Sequence, residues 1–242
     1  MYSELSVFAD DRTRIALTHY RRGSPELIII SHGFFNSRNS RSLQRIVRFL
    51  LPYYDVITFD YRGHGQSAGT YTFGAREIKD LTAVVRYSGG FPYRKKALMG
   101  FSLGAAVAVQ AAQTADFDSF MLISCPSSFY SIDCHFWEKA VLTSIRDLFG
   151  ENGRNRKARI GNPFLSKPQP CAGIRRISSP ILFIHGQRDW LIKPWHSRQL
   201  HSLSRAARLE ILRGGLHAEK LTEQFPDLFR RLALDWLRET LA

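Results

Sequence analysis

The sequence predicts an α/β fold, in which a mostly parallel sheet is covered by helices on both faces. Short runs rich in β-branched and aromatic residues alternate with helical patterns along most of the 242 residues. Most of these runs end at Gly, Asp or Pro, as buried strands do. Strand–helix alternation requires crossover connections, and these place helices on both sides of a parallel sheet.

The predicted strands begin with an antiparallel hairpin, in which 5–9 and 14–20 flank the turn Asp-Asp-Arg-Thr. This hairpin is expected at the first edge of the sheet. The parallel strands then follow at 26–33, 54–60, 95–100, 120–126, 180–186 and 207–215. Together with the hairpin they make a predicted sheet of eight strands.

Three helices are predicted by their composition and apolar spacing. Residues 74–87 place Ile78, Leu81 and Val84 on one face. The segment 102–112 is rich in alanine and other strong helix formers. The last helix is predicted to begin at Pro226, because proline favours the first turn of a helix.

One segment interrupts the alternation. Residues 127–179 are too many for a crossover helix, and they contain an aromatic cluster, an amphipathic pattern near 133–149 and a basic run at 153–160. We interpret this segment as an inserted lid. The residues before it (1–126) and after it (180–242) then form one core domain.

Composition is typical of a globular protein, with 44% hydrophobic and 23% charged residues. The formal net charge is +13, but the basic residues are dispersed apart from 153–160 and Arg175–Arg176. No nucleic-acid-binding motif accompanies them, so we do not expect a nucleic-acid partner. We interpret the charge as a basic, solvated surface, with weak contact with anionic surfaces as the alternative. The sequence does not indicate an oligomeric state.

A cytoplasmic location and the absence of a metal are also expected. The N-terminus lacks a basic leader and an apolar h-region, and the longest apolar stretch, 97–112, is shorter than a membrane span. Three cysteines without Cys-x-x-Cys spacing fit a reducing compartment. The pair His196 and His201 lacks the third ligand and the spacing of a zinc site.

The motif Gly-x-Ser-x-Gly spans 100–104 and centres on Ser102. This pattern alone is common, and Ser102 could be a nucleophile or a small residue in a turn. It lies where a predicted strand passes into a helix, and a sharp turn there would expose the Ser102 Oγ above the sheet. The N–H of Leu103, at the helix N-terminus, would then point toward developing negative charge.

A serine nucleophile needs a base, and the base works better when an acid orients it. Asp189 follows the strand 180–186, and His217 follows the last strand. The order Ser, Asp, His, each just beyond a strand end, is more specific than the serine motif. Asp133 is the alternative for the acid.

Other polar residues near strand ends have simpler explanations. His32, His64 and His185 lie at turns and are predicted to brace loops by hydrogen bonds. Asp60 and Arg62 are predicted to form a structural ion pair or to brace the loop after the third strand.

The chain resembles the α/β-hydrolase superfamily over nearly its whole length. The segment 59–69, FDYRGHGQSAG, is similar to a signature of monoacylglycerol-lipase-like and serine-aminopeptidase-like members, as are HGQRD at 185–189 and GGLH at 214–217. HGFFN at 32–36 resembles the family's oxyanion loop. The resemblance implies that the Phe34 N–H is an oxyanion donor beside that of Leu103. Two features depart from the family pattern, namely Leu216 in the histidine motif and the short lid. Because the lid is short, the resemblance does not identify the substrate.

The predicted function is hydrolysis of short- to medium-chain carboxylic esters by Ser102, His217 and Asp189, without a cofactor. A small-molecule ester is the expected partner. A lipase, thioesterase, peptidase or acyltransferase would use the same residues, and a non-catalytic binding protein is the alternative from another class. Phe129 or Trp137 in the lid is predicted to contact the acyl group, and packing of these rings against the core domain is the alternative.

Overall fold

A computed structural model describes residues 1–34, 36–131 and 158–242. The strands in these residues are β1 (Tyr2–Phe8), β2 (Arg14–Tyr20), β3 (Glu26–Ser31), β4 (Asp55–Phe59), β5 (Lys95–Phe101), β6 (Ser119–Ile123), β7 (Ile181–Gly186) and β8 (Ala207–Leu212). They form one sheet in the order β1-β2-β4-β3-β5-β6-β7-β8.

Pairing within the sheet is mostly parallel. Strand β2 runs antiparallel to both β1 and β4, whereas the remaining neighbours from β4 to β8 are parallel. The predicted hairpin therefore forms the first edge, and the prediction of an eight-stranded, mostly parallel sheet is confirmed. The carboxyl ends of β3 to β8 lie along one edge, which is where ligands bind in open α/β sheets.

The helices of the described residues are α1 (Arg41–Leu50), α2 (Glu77–Ser88), α3 (Leu103–Ala111), α4 (Pro170–Gly173), α5 (Trp195–Leu203), α6 (Leu221–Gln224) and α7 (Pro226–Leu241). The last helix begins at Pro226, as predicted. Helix α2 begins three residues later than predicted, at Glu77. The Glu77 carboxylate accepts the N–H groups of Thr72 and Gly74, and Gly74 has a φ of +95°. This turn excludes residues 74–76 from the helix.

The core lies in two layers, one on each face of the sheet. Helices α1 and α7 pack on the face that includes Ile28 and Ile30. Helices α2, α3 and α5 pack on the face that includes Ile29. The alternation of side chains along β3 therefore supplies both layers, because successive residues of a strand point to opposite faces.

The predicted lid is described only in part. The predicted helix near 133–149, together with Asp133, Cys134 and Trp137, lies outside the described residues. At the second end of the segment, Ile160 pairs with Tyr71 in a parallel bridge and the Arg159 N–H donates to the Gly63 carbonyl at 2.8 Å. Residues 159–160 thus pack against the loop that follows β4.

No helix in the described part of the chain is both long enough and apolar enough to cross a membrane. Two of the three cysteines lie in that part, and both Cys125 and Cys171 are free thiols there. Burial raises the pKa of the Cys125 thiol, so this cysteine is an inert core residue.

Candidate active site

Ser102 stands between β5 and α3 in a conformation that a non-glycine residue rarely adopts. Its φ is 52° and its ψ is −120°. The flanking glycines permit close backbone approach. A Cβ at Gly100 would lie 2.6 Å from the Cα of Ala105, and a Cβ at Gly104 would clash with the carbonyl oxygens of Ser31 and His32. The motif therefore reflects a tight strand-to-helix turn.

The structure brings Ser102, His217 and Asp189 into one chain of hydrogen bonds. The His217 Nε2 lies 2.9 Å from the Ser102 Oγ. On the other side of the ring, the His217 Nδ1 lies 2.8 Å and 2.9 Å from the two carboxylate oxygens of Asp189. Each residue follows a strand at the carboxyl edge of the sheet, β5, β8 and β7 respectively.

Asp189 is held in place as a buried anion. Its Oδ1 accepts the N–H groups of Leu191 and Ile192 at 3.1 Å and 2.9 Å. The Nε2 of His185 lies 3.3 Å from its Oδ2. Burial alone would raise the pKa of Asp189, but the charge of His217 and hydrogen bonds from His185 and His217 outweigh it, so the pKa is lowered. The carboxylate is therefore ionised beside the imidazole.

The pKa of His217 shifts in the opposite direction to that of Asp189. Burial alone would lower the pKa of its imidazole. The charge and hydrogen bond of Asp189, with a further contribution from the charge of Glu219, overcome this effect and raise the pKa. The raised pKa makes the neutral imidazole a stronger base for the Ser102 proton and stabilises the imidazolium that proton transfer forms.

The turn after His217 is anchored to a neighbouring strand end. The Ala218 N–H donates to the Ser124 Oγ at 3.0 Å. Both residues have positive φ, 44° for Ala218 and 48° for Ser124. Ser124 was not predicted as a site residue. Its position directly after β6, at the same edge as Ser102, was the available signal.

The peptide that carries the Phe34 N–H is oriented from its other end. The His32 Nδ1 lies 2.7 Å from the Gly33 carbonyl oxygen, and the Asn36 N–H donates to that oxygen at 3.3 Å. The Tyr61 N–H donates to the His32 Nε2 at 3.1 Å. His32 therefore donates through Nδ1, and burial lowers its pKa. Because a trans peptide is planar, the Phe34 N–H points away from the restrained carbonyl.

Leu103 is the first residue of α3. The N–H groups of a first helical turn have no acceptor within the helix, and the helix dipole gives them partial positive charge. The N–H of Leu103 is adjacent to Ser102 in sequence. These features match the donor role predicted for it.

The histidines predicted to brace loops do so. His32 restrains the Gly33 carbonyl oxygen, and the His64 Nδ1 lies 3.2 Å from the Arg62 carbonyl oxygen. The His185 Nδ1 lies 2.6 Å from the Ser197 Oγ, and its Nε2 lies 2.7 Å from the Ile192 carbonyl oxygen. His185 also contacts the Asp189 carboxylate, a role that its turn position did not reveal.

The predicted ion pair between Asp60 and Arg62 is wrong. Asp60 instead forms a buried ion pair with Arg38 and accepts the Arg38 N–H at 2.7 Å. Arg62 pairs with Asp80 at 2.6 Å and with Asp11 at 2.8 Å. Partners from other elements thus satisfy both charges. Asp60 does brace the loop after β3, because Arg38 lies near the end of that loop.

Of the two candidate acyl contacts, the structure describes Phe129 but not Trp137. The Phe129 ring lies against Gly74, where a Cβ would meet it at 2.6 Å, and below the Lys167 ammonium, while the Phe129 N–H donates to Gln169. Trp137 lies outside the described residues.

The Phe34 ring stacks on the Tyr71 ring, with the two ring centroids 5.2 Å apart. These rings form an aromatic surface beside the loop after β3.

Among the residues that the structure describes, no three His, Cys, Asp or Glu side chains are grouped in a way that could hold a metal ion. His196, one of the two histidines considered for a metal, instead has its Nδ1 2.8 Å from the Ser127 Oγ.

Known proteins resemble this chain in sequence over most of its length. The chain is 29% identical over 214 residues to the uncharacterized protein YqkD of Bacillus subtilis, covering 83% of this chain and 67% of that protein. It is 25% identical over 213 residues to the serine hydrolase BPHL of Homo sapiens, covering 76% of this chain and 70% of that protein.

Solved structures give the same fold. The esterase Pf2001 of Pyrococcus furiosus superposes with a TM-score of 0.79 at 21% identity, covering 100% of this chain and 94% of that one. A sequence model of the alpha/beta hydrolase family matches residues 27–232. The chain therefore belongs to the alpha/beta hydrolase family and is a hydrolase.

Proposed function

We propose that this hydrolase cleaves carboxylic esters with Ser102 as nucleophile, His217 as general base and Asp189 as the acid that orients His217. The observation that carries the proposal is the continuous chain of contacts from the Ser102 Oγ through both ring nitrogens of His217 to Asp189. A serine hydroxyl is a weak nucleophile until a base within hydrogen-bonding distance accepts its proton.

The reaction follows from this geometry. The Ser102 Oγ attacks the ester carbonyl carbon while its proton passes to the His217 Nε2, and Asp189 stabilises the resulting imidazolium. The N–H groups of Phe34 and Leu103 bind the oxyanion, each contributing roughly 3 kcal/mol of transition-state stabilisation. His217 then protonates the leaving alcohol. Water, activated by the same base, hydrolyses the acyl-enzyme and restores the serine.

The proposed substrates are short- to medium-chain acyl esters. The names of two relatives support an ester and a serine nucleophile, since one is an esterase and the other a serine hydrolase. Phe129 and Trp137, both in the proposed lid of residues 127–179, are the candidate acyl contacts. We further propose a cytoplasmic location, which the two free thiols support; fractionation of cells that express the tagged chain tests it.

The direct test combines labelling with turnover. A fluorophosphonate probe should label the wild-type chain at Ser102, and p-nitrophenyl butyrate should be hydrolysed. We expect Ser102→Ala and His217→Ala each to lower kcat by about 10³-fold or more, with little further loss in the double variant, because the residues act as one unit.

Matched controls separate the site from the surface. Ser202→Ala and His201→Ala change residues of the same types on helix α5, away from the three strand ends, and should retain wild-type kcat. A folded wild-type chain that neither reacts with the probe nor hydrolyses the ester would contradict the proposal and favour a non-catalytic binding protein.

A further inference from the structure

Glu219 is a buried carboxylate that the proposed mechanism does not use. It lies two residues after His217, in the short 3-10 turn Ala218–Lys220, and only 7% of its surface is exposed. Its Oε1 accepts the Gly33 N–H at 3.0 Å. Because a buried carboxylate is unfavourable unless it is hydrogen-bonded, this contact fixes both partners.

The contact joins two loops that are far apart in sequence. Gly33 directly precedes Phe34, whose N–H is the proposed oxyanion donor. A Cβ placed on Gly33 would lie 3.0 Å from the Glu219 Oε1 and 3.3 Å from the Ser102 Cβ. The carboxylate, the loop after β3 and the turn of the nucleophile are therefore packed against one another.

We propose that Glu219 is a positioning residue that ties the loop carrying Phe34 to the turn carrying His217. Glu219 restrains the Gly33 N–H, while His32 restrains the Gly33 carbonyl oxygen. Both peptide planes that meet at Gly33 are thereby held, and the direction of the Phe34 N–H is set with them. This inference rests on the proposed function, since it assigns a role relative to the same oxyanion.

The negative charge of Glu219 also affects the pKa of His217. Among the described residues, the Ser102 hydroxyl and the Asp189 carboxylate contact the ring nitrogens of His217, and the Trp190 and His217 ring centroids are 6.2 Å apart. Glu219 adds a second negative charge, which raises the pKa of His217 in the same direction as Asp189 does, against the effect of burial. Removing the charge should therefore lower that pKa.

The first test titrates the His217 imidazole by NMR in the wild-type chain and in Glu219→Gln, which keeps the size and an acceptor oxygen but loses the charge. We expect the pKa of His217 to fall, because a negative charge that favours its protonated form is removed. The acid limb of kcat/KM should move to lower pH by the same amount, because His217 accepts a proton only when neutral. An unchanged pKa in Glu219→Gln would overturn the inference.

The second test removes the hydrogen bond. In Glu219→Ala the buried Gly33 N–H has no acceptor, so the loop loosens, and we expect kcat per probe-labelled site to fall about tenfold or more, further than in Glu219→Gln. Glu223→Gln is the control, because the Glu223 carboxylate pairs with Arg45 at 2.9 Å and with Lys220 at 3.3 Å, whereas the Gly33 N–H donates to Glu219. Wild-type kcat in Glu219→Ala, with only a lower Tm, would overturn the inference.

The two proposals fail in different ways. If Ser102 reacts with no probe and no ester is hydrolysed, the proposed function is wrong. The NMR titration still tests the electrostatic effect of Glu219, because the His217 pKa is measured without turnover.

Discussion

Three of the five non-glycine residues with positive φ in the described part of the chain lie at the candidate site. Ser102, Ser124 and Ala218 all have positive φ, between 44° and 52°. All three lie at the carboxyl edge of the sheet, after β5, β6 and β8. Such conformations persist only where the surrounding structure fixes them, and here the Ala218 N–H bonds to the Ser124 Oγ. The strained turns thus aim the Ser102 and His217 side chains at each other.

The acid can be assigned by substitution. Asp189→Asn should lower kcat by about 10⁴-fold, because an amide cannot stabilise the imidazolium and favours the wrong tautomer of His217. The measurement is the turnover of p-nitrophenyl butyrate by variants whose native fold is verified by circular dichroism. Asp133→Asn is the comparison, since Asp133 was the alternative acid, and it should retain activity. The reverse result would move the acid to Asp133.

At this scale the sequence was informative where chemistry coincides with a strand end. Ser102, Asp189 and His217 could be identified because each follows a buried strand. Glu219 could not, because its partner Gly33 is 186 positions away and no local pattern reports that contact. The pairing of Asp60 with Arg62 failed for the same reason: Arg38 and Asp80, from other elements, satisfy these charges better.

At the scale of elements, the sheet and its long helices were predictable from period and composition. Four helices of the described residues were not predicted, namely α1, α4, α5 and α6. Helices α4 and α6 have only four residues each, and polar residues occupy much of the exposed surface of α1 and α5. The late start of α2 was also not predictable, because it depends on the Glu77 side chain bonding back to the turn at Thr72–Gly74. Local hydrogen bonds to the Glu77 side chain, rather than helix propensity, set this boundary.

The junction of β5, α3 and β3 gives a prediction about stability. Gly104→Ala places a methyl group against the carbonyl oxygens of Ser31 and His32, so backbone must move. We expect the free energy of unfolding to fall by about 2 kcal/mol or more, as in overpacked cores. Urea unfolding measures it.

The control for this prediction is Gly23→Ala. Gly23 has a φ of +93°, but a methyl group placed on its Cα would meet nothing within 4 Å. Its substitution should cost only backbone strain, about 1–2 kcal/mol. An equal or smaller loss in Gly104→Ala than in Gly23→Ala would show that the turn accommodates a side chain and that the motif does not require close packing there.

At the scale of the whole molecule, the net charge of +13 has no role in the proposed ester chemistry. Arg159, the described arginine of the basic run, donates to the carbonyl oxygens of Gly69 and Ser67. A groove lies between α1 and α7, on the face of the sheet that these helices cover. It is lined by Arg45, Arg48, Arg230, Phe49 and Tyr53. This groove supports weak contact with anionic surfaces as a proposal.

The last prediction concerns acyl length. Each buried methylene contributes roughly 0.8 kcal/mol to binding, and methylenes beyond the pocket contribute almost nothing. A segment as short as residues 127–179 can cover only a modest pocket, and the Phe129 ring is already packed on Gly74. We therefore expect kcat/KM for p-nitrophenyl esters to rise from acetate to butyrate or octanoate and then to level off or fall toward palmitate.

The same ester series should be measured on anionic vesicles, neutral vesicles and anionic vesicles at high salt. Weak surface contact predicts a small association with anionic vesicles, which high salt should reduce by screening. The double variant Arg48→Gln/Arg230→Gln should also reduce it, because it removes charge from the same groove. The exposed control Arg205→Gln should not. Turnover of short esters should hardly change. Palmitate as the best soluble substrate, or a large rate increase on anionic vesicles, would instead identify a lipase, since a long chain would then be bound or presented in a way that a modest pocket does not allow.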